Sequence, residues 1–181
     1  LIDDNPVHED IMEGFRMVGP RFGLYTMLNA DREIGGIFGG NVYDAHQQGC
    51  EELMRYNSVE IPARADLVIA SCGGFPKDIN VIQSHKTMEY AFNALREGGV
   101  MILTAECTDG FGNPTMRSWF RHKELAQFES ALREGYEING QTAYSILLKA
   151  GKAKIILVSG LDEGAVRDMS LLPAPTPDAA L

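Results

Sequence analysis

Gln83 and Lys86 stand three residues apart, the separation at which side chains on a helix are neighbours. An ammonium beside a carboxamide, one to two turns in from a helix N-terminus, can hold a carboxylate. The lysine supplies a point charge and the glutamine a directional hydrogen bond. Just upstream, Ser71-Cys72-Gly73-Gly74-Phe75-Pro76-Lys77-Asp78 reads as the loop at the carboxyl end of a strand, where open α/β sheets bind ligands. Gly73 and Gly74 allow backbone to come close to a ligand. Asp78 is placed to cap the next helix, whose N-terminal amides favour an anion. The loop is neither G-x-G-x-x-G nor a Walker A sequence, which argues against dinucleotide or triphosphate binding. Each feature also has a plain reading: a strand-to-helix turn for the loop, a solvated helix face for Gln83 and Lys86.

Other reactive side chains are less pointed. Ala105–Asn113 is a second loop at a strand end, and its Glu106 and Asp109 suit either acid–base work or turn formation. His46 and Cys50, at i and i+4, could share a metal but lack a third ligand nearby, and ordinary packing explains them. Val81, His85, Met88, Phe92 and Leu95 share one helix face, so His85 reads as a packed histidine. Gln83, Lys86 and Tyr90 fall on the opposite face with Ile79.

The elements that must position these residues follow from periodicity. Asn5-Pro6 signals a capped helix start with Glu9 and Asp10 in its first turn. Val7, Ile11, Phe15 and Val18 then mark an amphipathic helix that ends near Gly19-Pro20. Phe22–Leu28 and Glu33–Phe38 read as a hairpin, followed by a helix over Val42–Tyr56. Beyond this the apolar runs become continuous: Leu67–Ala70, Val100–Leu103 and Ile155–Val158. Such runs suit strands buried on both faces of a parallel sheet. Helix-length segments lie between them, at Asp78–Arg96, Pro114–Glu134 and Thr142–Ala150, and Leu161–Met169 is a further short helix. The spacing predicts an α/β fold: a three-layer, Rossmann-like, mostly parallel sheet with helices on both faces, plus an N-terminal helix and β-hairpin. A single domain is expected over 1–172, with a Pro-rich tail over 173–181.

Composition narrows the function classes. The 181 residues are 45% hydrophobic and 23% charged, enough for a real core. Sixteen basic against 25 acidic residues give a net charge of −9, which speaks against nucleic acid as a partner. No apolar run approaches the ~18 residues of a membrane span, so no membrane partner is expected. The odd number of cysteines, Cys50, Cys72 and Cys107, shows no C-x-x-C spacing. That favours a reducing, cytoplasmic setting over a disulfide framework or a zinc site. The first residue is Leu rather than Met, as in a processed protein or a piece of a longer one.

Three stretches together resemble a known family. They are Asn5-Pro6-Val7-His8-Glu9-Asp10; Gly39-Gly40-Asn41 through Ala45-His46 to Gly49-Cys50-Glu51; and Gly73-Gly74-Phe75-Pro76-Lys77-Asp78-Ile79-Asn80 followed by Gln83 and Lys86. With Glu97-Gly98-Gly99 they look like the C-terminal part of the nickel-dependent lactate racemase family, over about Asn5 to Pro175. The resemblance implies interconversion of stereoisomers at the hydroxyl-bearing carbon of a 2-hydroxy acid. It also implies a nickel-pincer nucleotide cofactor that accepts a hydride and returns it to either face. By the motif, the Gln and Lys that the family's C-terminal domain contributes to the cleft match Gln83 and Lys86, and Gly73, Gly74 and Asp78 fall at the cofactor side. A family aromatic residue falls near Thr142–Ser145, close to Tyr144. The family's cofactor lysine, acid–base histidines and nickel histidine lie upstream of Asn5. None of His8, His46, His85 or His122 occupies those motifs, so no metal ligand is assigned in this chain. The implied partners are a small 2-hydroxy acid and the N-terminal domain of the same polypeptide, and the fragment alone is expected to be inactive. Two rival readings stand beside this one: a stand-alone module binding small anions through the Gly73-Gly74 loop, and a protein-interaction domain using the Ile79–Tyr90 face.

Overall fold

The computed structural model describes residues 4–19 and 21–181. The chain forms two compact units, one from residues up to Glu60 and one from Ile61–Leu181. The division therefore falls at residue 60, inside the single domain expected over 1–172.

The N-terminal unit contains helix α1 (Pro6–Val18), strands β1 (Gly23–Leu28) and β2 (Ile34–Gly40), and helix α2 (Val42–Asn57). Asn5 caps α1 by accepting from the amides of Val7 and His8, and Gly19 ends it in the left-handed conformation that favours glycine. The expected end at Gly19 is thus seen; Pro20 lies outside the described residues. β1 and β2 form an antiparallel hairpin with Tyr25 opposite Phe38 and Thr26 opposite Ile37. Asn41 caps α2 through the amides of Tyr43 and Asp44.

The C-terminal unit holds β3 (Ala65–Ser71), α3 (Val81–Phe92), β4 (Leu95–Thr104), α4 (Pro114–Trp119), α5 (Leu125–Glu134), α6 (Gly140–Ala150), β5 (Lys154–Val158), α7 (Glu163–Asp168), β6 (Leu172–Ala174) and α8 (Pro177–Ala180). Its four strands are all parallel and lie in the order β3-β4-β5-β6. The α/β fold with a separate hairpin is therefore as the sequence suggests.

The helices are distributed unevenly, for a topological reason. A crossover between parallel strands is right-handed, and here every crossover steps in the same direction across the sheet. All connecting helices must then lie on one face. Met101, Leu103, Ile155 and Leu157 point to that face. There they join Met88 of α3, Phe128 of α5, Ile146 of α6 and Val166 of α7 in one core. Alternate residues point the other way: Ile69, Ile102, Ile156 and Leu172 are in register across all four strands. The short α8 packs near β4, β5 and β6. Ile102 and Ile156 are buried, whereas Ile69 on the edge strand is 58% exposed.

Three segments differ from their sequence reading. The helix expected over Asp78–Arg96 is α3 alone, Val81–Phe92, and Leu95 and Arg96 already belong to β4. Pro114–Glu134 is not one helix but α4 and α5. The break lets Trp119 stack on Phe128 with ring centres 5.4 Å apart, a contact a straight helix would not allow at that spacing. The expected tail contains β6 and α8, and Pro173 is tolerated because β6 is an edge strand.

Candidate functional site

The loops after β3 and β4 meet at the carboxyl ends of their strands. Gly73 and Gly74 sit at φ +83° and +75°, a region where a side chain is strained. The Phe75–Pro76 peptide is cis. Asp78 does not cap the following helix. It is buried, and its carboxylate accepts from the Glu106 amide at 3.2 Å while its carbonyl accepts from the Cys107 amide. The cap is Asn80, two residues later, so α3 starts at Val81 rather than near Asp78.

Asn80 ties the site together. Its Oδ1 accepts from the Gln83 amide at 3.0 Å, and its Nδ2 donates to Asp109 at 3.1 Å. The Asp109 amide donates to the Ile79 carbonyl, and the Val81 amide donates to the Gly110 carbonyl. Gly112 closes against this clasp, since a Cβ there would stand 2.5 Å from the Asn80 carboxamide. Asp109 is thus a loop-fixing residue, and the Glu106 side chain is exposed to solvent. With the Val81 and Gln83 amides bound internally, the α3 N-terminus offers little to an external anion. This weighs against the stand-alone anion-binding reading.

Gln83 and Lys86 do come together. On the solvent side of α3, the Lys86 ammonium donates to the Gln83 side-chain oxygen at 2.8 Å. Among the described residues no carboxylate pairs with Lys86. The pair therefore presents an unneutralised cation whose position is fixed by a neutral amide, with the amide N–H2 left to donate. Tyr90 is exposed on the same helix.

The other face of α3 carries a network that has no short-range signature. His85 is 87% buried at its side chain (13% exposed), with Nε2 2.7 Å from the Glu89 carboxylate. That atom is buried and not aligned for a hydrogen bond. Burial holds His85 below its ordinary value, outweighing the nearby Glu89 charge that would raise it. Burial alone would raise Glu89, but hydrogen bonds from Lys149 and Ser145, with His85 alongside, bring it below its ordinary value. Lys149 reaches Glu89 at 2.6 Å and Ser145 at 2.7 Å, and Ser145 also donates to Glu89. These residues join α3 to α6. Tyr144 meets the Phe128 ring edge-on at 5.5 Å, as part of the core wall.

The remaining candidates are structural. His46 lies against Tyr25 and His8, with Cys50 Sγ 3.7 Å from its ring. Among the described residues no three His, Cys, Asp or Glu side chains are grouped to hold a metal ion. Cys50, Cys72 and Cys107 are free thiols, and burial raises Cys72 and Cys107. Among the described residues no helix is long and apolar enough to cross a membrane.

A four-stranded parallel sheet with flanking helices, and an exposed lysine–glutamine pair on the helix that follows its first strand, defines an α/β domain. Residues 61–181 match the family model for the lactate racemase C-terminal domain, and the chain belongs to that family. It is 34% identical over 127 residues to the lactate racemase of Thermoanaerobacterium thermosaccharolyticum, covering 70% of this chain and 30% of that one. It is 35% identical over 109 residues to the lactate racemase of Lactiplantibacillus plantarum, covering 60% and 25%. The chain thus spans well under half of these curated relatives. The structure of the Thermoanaerobacterium lactate racemase apoprotein superposes with a TM-score of 0.90 at 30% identity, over 99% of this chain and 44% of that one. A Thermotoga maritima protein of 18% identity shares the fold, with a TM-score of 0.63 over 95% of this chain and 48% of its own.

Proposed function

We propose that this chain is the C-terminal portion of a 2-hydroxy acid racemase or epimerase of the lactate type, and that Gln83 and Lys86 are its contribution to the active-site cleft. The observation that carries this reading is the Lys86 ammonium, held by Gln83 and free of any carboxylate among the described residues. A 2-hydroxy acid keeps its carboxylate throughout a stereochemical inversion at the neighbouring carbon. A fixed cation can therefore hold that end of the substrate while the reacting carbon changes configuration. Gln83 adds a hydrogen bond whose direction sets the plane of the carboxylate. The clasp of Asn80, Asp109 and Gly112 fixes the helix start on which both side chains ride.

The donor set fits an anion and does not fit a metal centre. Lys86 and Gln83 suit the substrate carboxylate or an anionic group of the nickel-pincer cofactor. Gly73 and Gly74 leave room for that cofactor to approach the backbone, and Asp78 supports the loop through Glu106. When bound, the cofactor would accept a hydride from the substrate carbon and return it. The groups that hold it covalently, ligate its nickel and move protons are assigned to the remainder of the longer polypeptide, so the 181 residues alone are inactive.

The test uses the complete polypeptide loaded with cofactor. Lys86→Ala and Gln83→Ala should each lower kcat/KM for racemisation by about 10- to 100-fold, the worth of a charge-assisted hydrogen bond. Unchanged kcat/KM in both variants would remove these residues from the site.

A further inference from the structure

The N-terminal unit carries apolar surface that its own chain does not cover. Val7, Ile11 and Val18 mark the apolar stripe of α1, yet they are 66%, 61% and 83% exposed. An amphipathic helix in a folded protein buries that stripe against another element. The hairpin repeats the pattern. Its inner face, Tyr25, Met27 and Phe38, is half-buried on the side of α2. Its outer face carries Leu24, Leu28, Ile34 and Ile37, all exposed, with Leu24 66% and Ile37 62% in solvent. Phe22 lies beside Leu24 at Gly39 and extends the patch. Among the described residues of this unit only Ala45 is fully buried. A lone two-stranded hairpin with so small a core is marginal in water.

We infer that residues 4–60 are a docked piece of the domain preceding the lactate racemase C-terminal domain. The outer hairpin face and the α1 stripe would then be covered by upstream parts of the same longer polypeptide. The occupant follows from the boundaries. The C-terminal domain match begins at Ile61, where the second compact unit also begins. The superposition on the apoprotein nevertheless includes nearly all of this chain while leaving 56% of that protein (100 − 44) unmatched. Residues 4–60 thus have a structural counterpart in a longer racemase but lie outside its C-terminal domain. The inference rests on the reading of this chain as part of such an enzyme.

The test compares the complete polypeptide with the 181-residue chain. Hydrogen exchange followed by mass spectrometry should show β1, β2 and α1 protected in the complete polypeptide and exchanging rapidly in the 181-residue chain. Leu24→Asp and Ile37→Lys should leave the melting temperature of the 181-residue chain unchanged. In the complete polypeptide they should lower it by about 4 °C or more. Equal exchange in both proteins would overturn the inference. So would a reversible dimer of the 181-residue chain, seen by sedimentation and abolished by Leu24→Asp, because a second copy would then be the occupant. Racemisation by the unsubstituted complete polypeptide is measured in parallel. Activity without hairpin protection overturns the docking alone, and protection without activity overturns the racemase reading alone.

Discussion

Lys86 stands on an exposed helix face with a carboxamide as its partner, and Gln83 owes its place to Asn80 rather than to Asp78. The pairing of Gln83 with Lys86 is legible from their spacing, because three residues on a helix bring side chains together whatever surrounds them. The Glu89–Ser145–Lys149 network is not, since its members lie 56 and 60 residues apart. Its consequence is a pH dependence. A group whose folded-state pKa lies below its unfolded value contributes fully above the unfolded value and loses that contribution as pH falls. His85 and Glu89 are both of this kind, from ordinary values of 6.5 and 4.5. Melting temperature should therefore decline below about pH 6.5 and again below about 4.5. His85→Gln should flatten the upper part of that decline. A melting temperature that rises between pH 7 and 5 would contradict the assignment. Thiol accessibility gives a second check. Buried Cys72 and Cys107 should resist alkylation in the native state while Cys50 reacts, as mass spectrometry of the modified peptides would show.

At the scale of elements, the clasp between the two strand-end loops makes a sharp prediction. Gly112→Ala places a methyl against Asn80 at a left-handed backbone position, and should destabilise by about 1–3 kcal/mol in denaturant unfolding. Asn80→Ala removes the cap and the Asp109 hydrogen bond together, for about 1–2 kcal/mol. A stability within error of the parent in both variants would show that the clasp is not fixing α3. The long buried strands are readable because their apolar runs are continuous. β6 is hidden because three residues including a proline carry no periodic signal. The split between α4 and α5 is hidden for the opposite reason. Helical periodicity persists through a break whose benefit, the Trp119–Phe128 stack, lies in tertiary structure.

For the whole molecule, the continuous core lies entirely within the second unit. A polypeptide of residues 61–181 should therefore unfold cooperatively with a melting temperature close to that of the full 181 residues. Phe128→Ala, at a fully buried position, should destabilise either by about 3–5 kcal/mol. Loss of cooperative unfolding on removing residues 1–60 would refute the independence of that core. The sequence conveyed strand–helix alternation well, but not the strand order, which is set by which neighbours pair rather than by any local pattern.

The sequential order β3-β4-β5-β6 also bears on how the domain is made. Each new strand pairs with the one synthesised just before it, so no strand waits for a distant segment to complete its pairing. Pairing strands that are neighbours in sequence keeps the crossovers as short as a parallel sheet allows and suits assembly on a chain emerging from its N-terminal side. The sheet grows from one edge, with β3 laid first and β6 last. A chain stopped after Ser159 would already hold the β3–β4 end where Gln83, Lys86 and the clasp reside. What it would lack is the far edge and α8. The part of the domain that carries the Gln83–Lys86 pair is thus formed before the part that finishes the sheet.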